Sequence, residues 1–168
     1  ITMQTITFDQ LHSALVATFS PIAAVRTPAE AAIKTLKSYP GSTALLVQLC
    51  LKNSTISSAL VDINVRKAAS IQLKNLLRST WSVSDEMKNN PTDPTVEITQ
   101  DEKTFIKESI IEQLQIEDDP VIIKMLAEVV NIVAVNEFPQ SWPTLLPKLI
   151  AGIREGGAAG NILKVRGV

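Results

Sequence analysis

Polar and aliphatic side chains recur at helical spacing across residues 62–81. At about 100° per residue, one narrow stripe of this segment is polar and the opposite side is aliphatic. The stripe contains Lys67, Ser70, Lys74 and Arg78, and the aliphatic side contains Val65, Ala69, Leu73 and Leu76. The pattern predicts one long helix that packs over most of its surface and meets solvent or a partner along one edge.

The same periodicity predicts six further helices. Three of them begin at a threonine that precedes Glu or Gln by three residues, which is the signature of a capping box: Thr7, Thr27 and Thr99. Proline follows Thr27 and Asp119, where it would occupy the first helical position. The seven predicted helices cover residues 7–20, 27–39, 42–52, 62–81, 99–115, 119–136 and 142–155.

Residues 121–135 are apolar nearly all round. Their only polar members are Lys124, Glu128 and Asn131, which share one stripe. A helix of this kind must be covered on both flanks and behind, so that one ridge stays exposed. Inner helices of a solenoid meet that condition. The sequence therefore predicts an all-α helical-repeat protein of about three and a half helix pairs.

The ridge gives the inner helices a common register. In the three inner helices the ridge begins at Glu30, Lys67 and Lys124, respectively. It continues seven residues later at Lys37, Lys74 and Asn131. The spacing between the second and third pairs exceeds the roughly 40–47 residues of a HEAT repeat. The proline-containing connector 82–98 supplies the excess. We expect a single domain over 1–168, with repeats at 7–39, 42–81, 99–136 and an incomplete 142–168.

Composition narrows the function classes. An apolar content of 45% with only 4% aromatic residues favours aliphatic helix packing. A formal net charge of −1 gives no general attraction to nucleic acid or anionic lipid. The sequence has no signal peptide and no long apolar run, which predicts a soluble intracellular protein without membrane insertion. Cys50 lies in an apolar run, so we expect a buried hydrophobic residue rather than a nucleophile.

Catalytic chemistry has no visible basis in the sequence. There is no glycine-rich phosphate loop, no ligand spacing for a metal and no activated nucleophile. We therefore expect no enzyme activity, no cofactor and no metal site.

Two segments resemble a known family. They are 65–75 (VRKAASIQLKN), with Trp81 six residues later, and 136–147 (NEFPQSWPTLLP). Both are similar to the N-terminal domain of importin-β (karyopherin-β) nuclear transport receptors, and the resemblance spans essentially the whole chain. Importin-7/8-like receptors and the exportin that recycles importin-α are both similar, which leaves the branch open.

The resemblance implies a fold and partners. The fold would be a right-handed α–α superhelix of the HEAT or armadillo type, at the end of the receptor that binds Ran-GTP. Cargo proteins and nucleoporins would bind mainly further along the superhelix. The receptor would be a monomer that shuttles between nucleus and cytoplasm through the nuclear pore. The resemblance does not distinguish an import receptor from an export receptor.

Site residues follow partly from the resemblance and partly from the ridge. Leu73, Lys74 and Asn75 match the family motif on the second inner helix, and the ridge adds further candidates. The candidates for Ran binding are Lys67, Lys74, Arg78, Asn75, Lys37, Lys124, Glu128 and Asn131. The alternative role of each residue is to keep the exposed face of its helix solvated. For Asn75, a hydrogen bond between repeats is a further alternative. At the level of the molecule, the alternative function is a HEAT scaffold without Ran regulation.

Overall fold

The computed structural model describes residues 5–158, which form a stack of helices. The helices are α1 (Phe8–Ala17), α2 (Ala23–Lys34), a 3₁₀ turn (Leu36–Ser38), α3 (Ser42–Cys50), α4 (Ile63–Thr80), α5 (Asp85–Lys88), α6 (Gln100–Ile116), α7 (Pro120–Glu137) and α8 (Leu145–Ala158). All seven predicted helices are present. No helix within the described residues is long and apolar enough to span a bilayer.

The helices pack in two layers. In one layer α3 contacts α1 and α6, and α6 contacts α8; in the other, α4 lies against α7. Between the layers lies one aliphatic core, in which Leu46, Leu73, Ile106 and Leu126 are buried. The predicted HEAT-like helical solenoid is confirmed.

Three of the four helix starts that were predicted from a capping or proline signal are confirmed. The Thr7 hydroxyl accepts a hydrogen bond from the amide of Gln10 (3.2 Å), whose side chain accepts one from the Thr7 amide (2.9 Å). Thr99 and Glu102 form the same capping box. Asp119 caps α7, and its carboxylate accepts two backbone amides. Each cap satisfies amides that the first helical turn leaves without a partner.

The predicted start of the second helix at Thr27 is wrong. Helix α2 begins at Ala23, after Ile22, which makes no side-chain cap, and Pro28 lies inside the helix. A proline at this position removes one hydrogen bond of the helix, and its ring crowds the carbonyl four residues earlier, so it disfavours the helix. The alanines before it favour helix, and Arg26 pairs with Glu30 across Pro28 (3.7 Å). The helix also ends early, at Lys34, before the 3₁₀ turn.

The connections contain structure that the sequence analysis missed. Strands β1 (Thr55–Ile56) and β2 (Ala59–Leu60) form a two-stranded antiparallel hairpin between α3 and α4. Its turn residues, Ser57 and Ser58, both have positive φ, 50° and 65°. The connector 82–98 contains the short helix α5, which is capped by Ser84.

The last helix begins later than predicted. Helix α8 starts at Leu145 rather than Trp142, after a turn that Lys107 of α6 holds in place. The Lys107 ammonium group lies 2.7 Å from a Glu137 carboxylate oxygen and 3.0 Å from the Ser141 carbonyl. Residues 159–168 of the predicted repeat 142–168 lie outside the described residues.

Both tryptophans are buried. A buried indole N–H usually has a hydrogen-bond partner, but the Nε1 of Trp81 is buried without one in the described part of the chain. Instead, the Lys103 ammonium group lies over the ring, 5.1 Å from its centroid, which is within the range of a cation–π contact.

Candidate functional site

Helices α4 and α7 lie side by side and leave one side of each exposed. We call this surface the α4–α7 face. Its exposed residues are Asn64, Ile71, Asn75 and Arg78 on α4, and Val121, Lys124, Asn131 and Val135 on α7. Three of these eight residues are aliphatic, and Val135 is 78% exposed. The face is therefore a mixed apolar and polar surface.

The stripe predicted on α4 is one edge of this face. Ile71 and Asn75 follow Lys67 by four and eight residues, which rotates them by about 40° and 80° around the helix. Both are exposed, whereas Ser70 of the predicted stripe is fully buried. Asn75 makes no side-chain hydrogen bond with any described residue, so the alternative of an inter-repeat hydrogen bond is wrong. The exposed side is centred nearer Ile71 than Lys67.

The cations of α4 pair with carboxylates of α7. Lys67 lies 3.0 Å from Asp119. Lys74 and Arg78 share one oxygen of Glu128, at 3.6 Å and 3.5 Å. The predicted basic ridge is therefore a seam of ion pairs between two helices.

Asp119 is tightly held at one end of this seam. Its carboxylate accepts the amides of Val121 (2.9 Å) and Ile122 (3.2 Å) in addition to its contact with Lys67. Partial burial raises the pKa of Asp119, but the hydrogen bonds from Lys67 and the two amides outweigh it and leave the pKa below its ordinary value. Lys67 is accordingly held by the start of α7.

On α7, Lys124 and Asn131 are exposed, as the ridge predicted, and Glu128 between them is half-buried. Lys124 forms no ion pair with the described residues. It lies one turn before Glu128 on the same side of the helix.

Lys37 does not belong to the α4–α7 face. It lies in the 3₁₀ turn, where its ammonium group pairs with Asp93 of the connector and its carbonyl accepts the amide of Val96 (2.8 Å). The Ser38 hydroxyl also donates to the Pro94 carbonyl (2.9 Å). Because α2 ends at Lys34, the helical register that placed Lys37 on the ridge does not reach it.

A buried polar cluster joins α3, α4 and α6 beneath the seam. The guanidinium group of Arg66 donates twice to the Cys50 carbonyl (3.1 and 3.0 Å) and pairs with Glu117. Glu117 also accepts from Gln113 (2.6 Å), whose side-chain oxygen accepts the Lys52 amide (3.0 Å). Arg66 is 6% exposed and Glu117 2%. Burial raises the pKa of the Cys50 thiol, in agreement with its expected role as a buried hydrophobic residue.

This cluster was not predicted from the sequence, although Arg66 carried a signal of it. Arg66 falls on the helical wheel about 100° from Lys67, on the side of α4 that carries Leu73 and Leu77. A charged residue at a core position requires a buried partner. The identity of that partner, Glu117, depends on the packing of another helix.

Comparison with known proteins identifies the family. Residues 29–115, more than half of the chain, match the model of the importin-β N-terminal domain. The chain belongs to this family. The matched residues include all of α3, α4 and the connector, and almost all of α6. The resemblance to importin-β N-terminal domains is confirmed.

Relatives from both expected branches of the importin-β family match the chain. Exportin-2 of Pagrus major is 29% identical over 92% of the chain, and exportin-2 of Homo sapiens is 25% identical over 83%. A probable importin-7 homolog of Dictyostelium discoideum is 30% identical over 73% of the chain. The chain spans only 14%, 13% and 10% of the lengths of these three relatives.

Proposed function

We propose that this chain is the N-terminal HEAT segment of a nuclear transport receptor and that it binds Ran-GTP through the α4–α7 face. Membership of the importin-β N-terminal domain family is the observation that carries the proposal. The relatives named as exportins and importins support it. Of the predicted site residues, the proposed contacts are Lys74, Asn75, Arg78, Lys124 and Asn131. Glu128 lies among them and pairs with Lys74 and Arg78. Lys67 is paired with the start of α7, and Lys37 is paired with the connector.

The composition of the α4–α7 face suits a regulated protein interface. A partner can exclude water from the exposed aliphatic side chains of Ile71, Val121 and Val135. Hydrogen bonds with the polar residues around them can fix the orientation of that partner. A GTPase whose switch segments differ between its two nucleotide states supplies the difference in affinity that a switch requires.

The remaining properties of the receptor belong to the same proposal. We infer a monomeric binding protein without catalytic activity, which shuttles between nucleus and cytoplasm and passes the nuclear pore. Cargo and nucleoporins would bind mainly through other parts of a receptor as long as the relatives. The division into repeats at 7–39, 42–81, 99–136 and 142–168 stays a prediction.

Binding to Ran in each nucleotide state tests this function. We expect the 168-residue chain, and the longest natural product of its gene, to bind Ran-GTP much more tightly than Ran-GDP in a calorimetric titration. The double variant Lys74→Glu with Arg78→Glu should weaken that binding. The control variant, Lys148→Glu with Arg154→Glu on α8, makes the same change in net charge and should not. Equal or absent binding to both forms would favour a HEAT scaffold without Ran regulation.

A further inference from the structure

The two carboxylates of the α4–α7 seam are held very differently. Asp119 is fixed by two backbone amides and a 3.0 Å contact with Lys67. Among the residues that the structure describes, Glu128 makes two long contacts from one oxygen, 3.6 Å to Lys74 and 3.5 Å to Arg78. Both exceed the usual length of an N–H···O hydrogen bond. One end of the seam is therefore locked, and the other is loosely held.

Charge is also unbalanced at the loose end. Lys74 and Arg78 share the single carboxylate of Glu128, and Lys124 lies one turn before Glu128 without an ion pair among the described residues. The Arg78 side chain is 60% exposed and that of Glu128 35%, so both are within reach of a partner. Three cations next to one carboxylate leave a local excess of positive charge.

We propose that Glu128 is an internal competitor that limits the affinity of the α4–α7 face for carboxylate side chains of a partner. This inference rests on the proposed function, because it concerns regulation of the same site. A partner's Asp or Glu must displace Glu128 from Lys74 and Arg78 before it can pair with them. Lys67 takes no part, because displacing Asp119 would also remove the cap of α7.

The competition has a measurable consequence. Removing the charge of Glu128 frees Lys74 and Arg78 for the partner at no cost to a helix cap. Exposed ion pairs are weak, so we expect a roughly two- to fivefold tighter complex, which corresponds to about 0.4–1 kcal/mol. Binding should also become more dependent on salt, because more unneutralised charge is screened.

The test measures the affinity of Glu128→Gln for Ran-GTP at several salt concentrations. Its matched control is Glu112→Gln, which removes an exposed carboxylate from α6 on the other layer. We expect Glu128→Gln to bind two- to fivefold more tightly than the unaltered chain with a steeper salt dependence, and Glu112→Gln to bind as the unaltered chain does. Thermal melting of each variant establishes that it is folded.

The outcomes separate this inference from the proposed function. If the unaltered chain binds Ran-GTP and Glu128→Gln binds equally or less tightly, Glu128 is not a competitor and the inference is overturned, while the proposed function stands. A weaker complex would show that Glu128 itself contacts the partner. If the unaltered chain does not bind Ran-GTP, the proposed function is contradicted.

Discussion

Periodicity placed several charged residues on one side of their helices but did not identify their partners. The sequence put Lys74 and Arg78 in the polar stripe of α4, and Glu128 on the ridge of α7. Their pairing depends on how far α7 is displaced along α4, which is set by side-chain packing between the helices. No local pattern in the sequence records that displacement. The sequence could therefore predict a polar stripe on each helix but not the ion pairs that join the two stripes.

Removing the carboxylate of Asp119 should destabilise the fold in a pH-dependent way. Loss of a helix N-cap costs about 1 kcal/mol, and Asp119→Ala also leaves Lys67 without its partner. Because the pKa of Asp119 is lowered in the folded state, its ionised form stabilises the protein above its ordinary pKa of 3.8. That contribution is lost as the pH falls through the lowered value. Urea unfolding should show a difference between the variant and the unaltered chain that is full at pH 7 and decreases steadily as the pH is lowered below 3.8.

A second cap serves as the control for this pH effect. Asp62 caps α4 by accepting the amide of Asn64 (2.8 Å), and no cation is paired with it in the described structure. Asp62→Ala should therefore lose less stability at pH 7 than Asp119→Ala. An equal loss for the two variants, or a loss for Asp119→Ala that does not change with pH, would contradict the role given to Lys67.

At the scale of elements, helix starts were predictable where a side chain caps the helix. Thr7, Thr99 and Asp119 each accept a backbone amide at the predicted position. Thr27 and Pro28 gave the same signal wrongly, because α2 begins earlier, at the preceding alanines, which favour helix despite the interior proline. The hairpin was missed because its strands have two residues each and its turn lacks the Asn-Gly or Asp-Gly pair that marks such turns.

The hairpin turn should be improved by residues that favour positive φ. Ser57 and Ser58 occupy the left-handed region, where side chains other than those of Gly, Asn and Asp are unfavourable. The double variant Ser57→Asn with Ser58→Gly should raise the free energy of unfolding by about 1 kcal/mol. Ser57→Ala with Ser58→Ala is the matched control and should not stabilise. A denaturation midpoint that does not rise in the first variant would show that this turn carries no strain.

At the scale of the whole molecule, the sequence was sufficient for the solenoid and the family. An apolar helix with one polar ridge must lie between neighbouring helices, which predicts a solenoid. The motifs around residues 65–75 and 136–147 indicated the family to which the solenoid belongs. The connector's position was not predictable, because its contacts with Lys37 and Ser38 cross more than fifty residues of sequence. Long-range contacts of this kind have no local signature.

The free energy of unfolding should depend strongly on the buried cluster around Glu117, which joins neighbouring helix pairs. Removing one member of a buried ion pair costs about 3–5 kcal/mol, because the other charge stays buried without a partner. Glu117→Ala should therefore destabilise the chain strongly by leaving Arg66 unpaired. Replacing both residues, as Arg66→Met with Glu117→Leu, removes the unpaired charge and should restore part of the loss. The Gln113 side chain and the amides of Asp118 and Asp119 still lose their acceptor. Chemical denaturation measures both variants, and equal destabilisation by the single and double variants would contradict this account.

The central claim is that the exposed sides of α4 and α7 bind the GTP form of Ran. Hydroxyl-radical footprinting of the chain tests this claim most directly, because it reports the exposure of individual side chains. Ran-GTP should protect Ile71, Val121 and Val135, while Leu60 of the hairpin and Phe19 beyond α1 react as before; Ran-GDP should protect none of the five. Unchanged reactivity of Ile71, Val121 and Val135 in a complex shown to form, or equal protection by Ran-GDP, would contradict the claim.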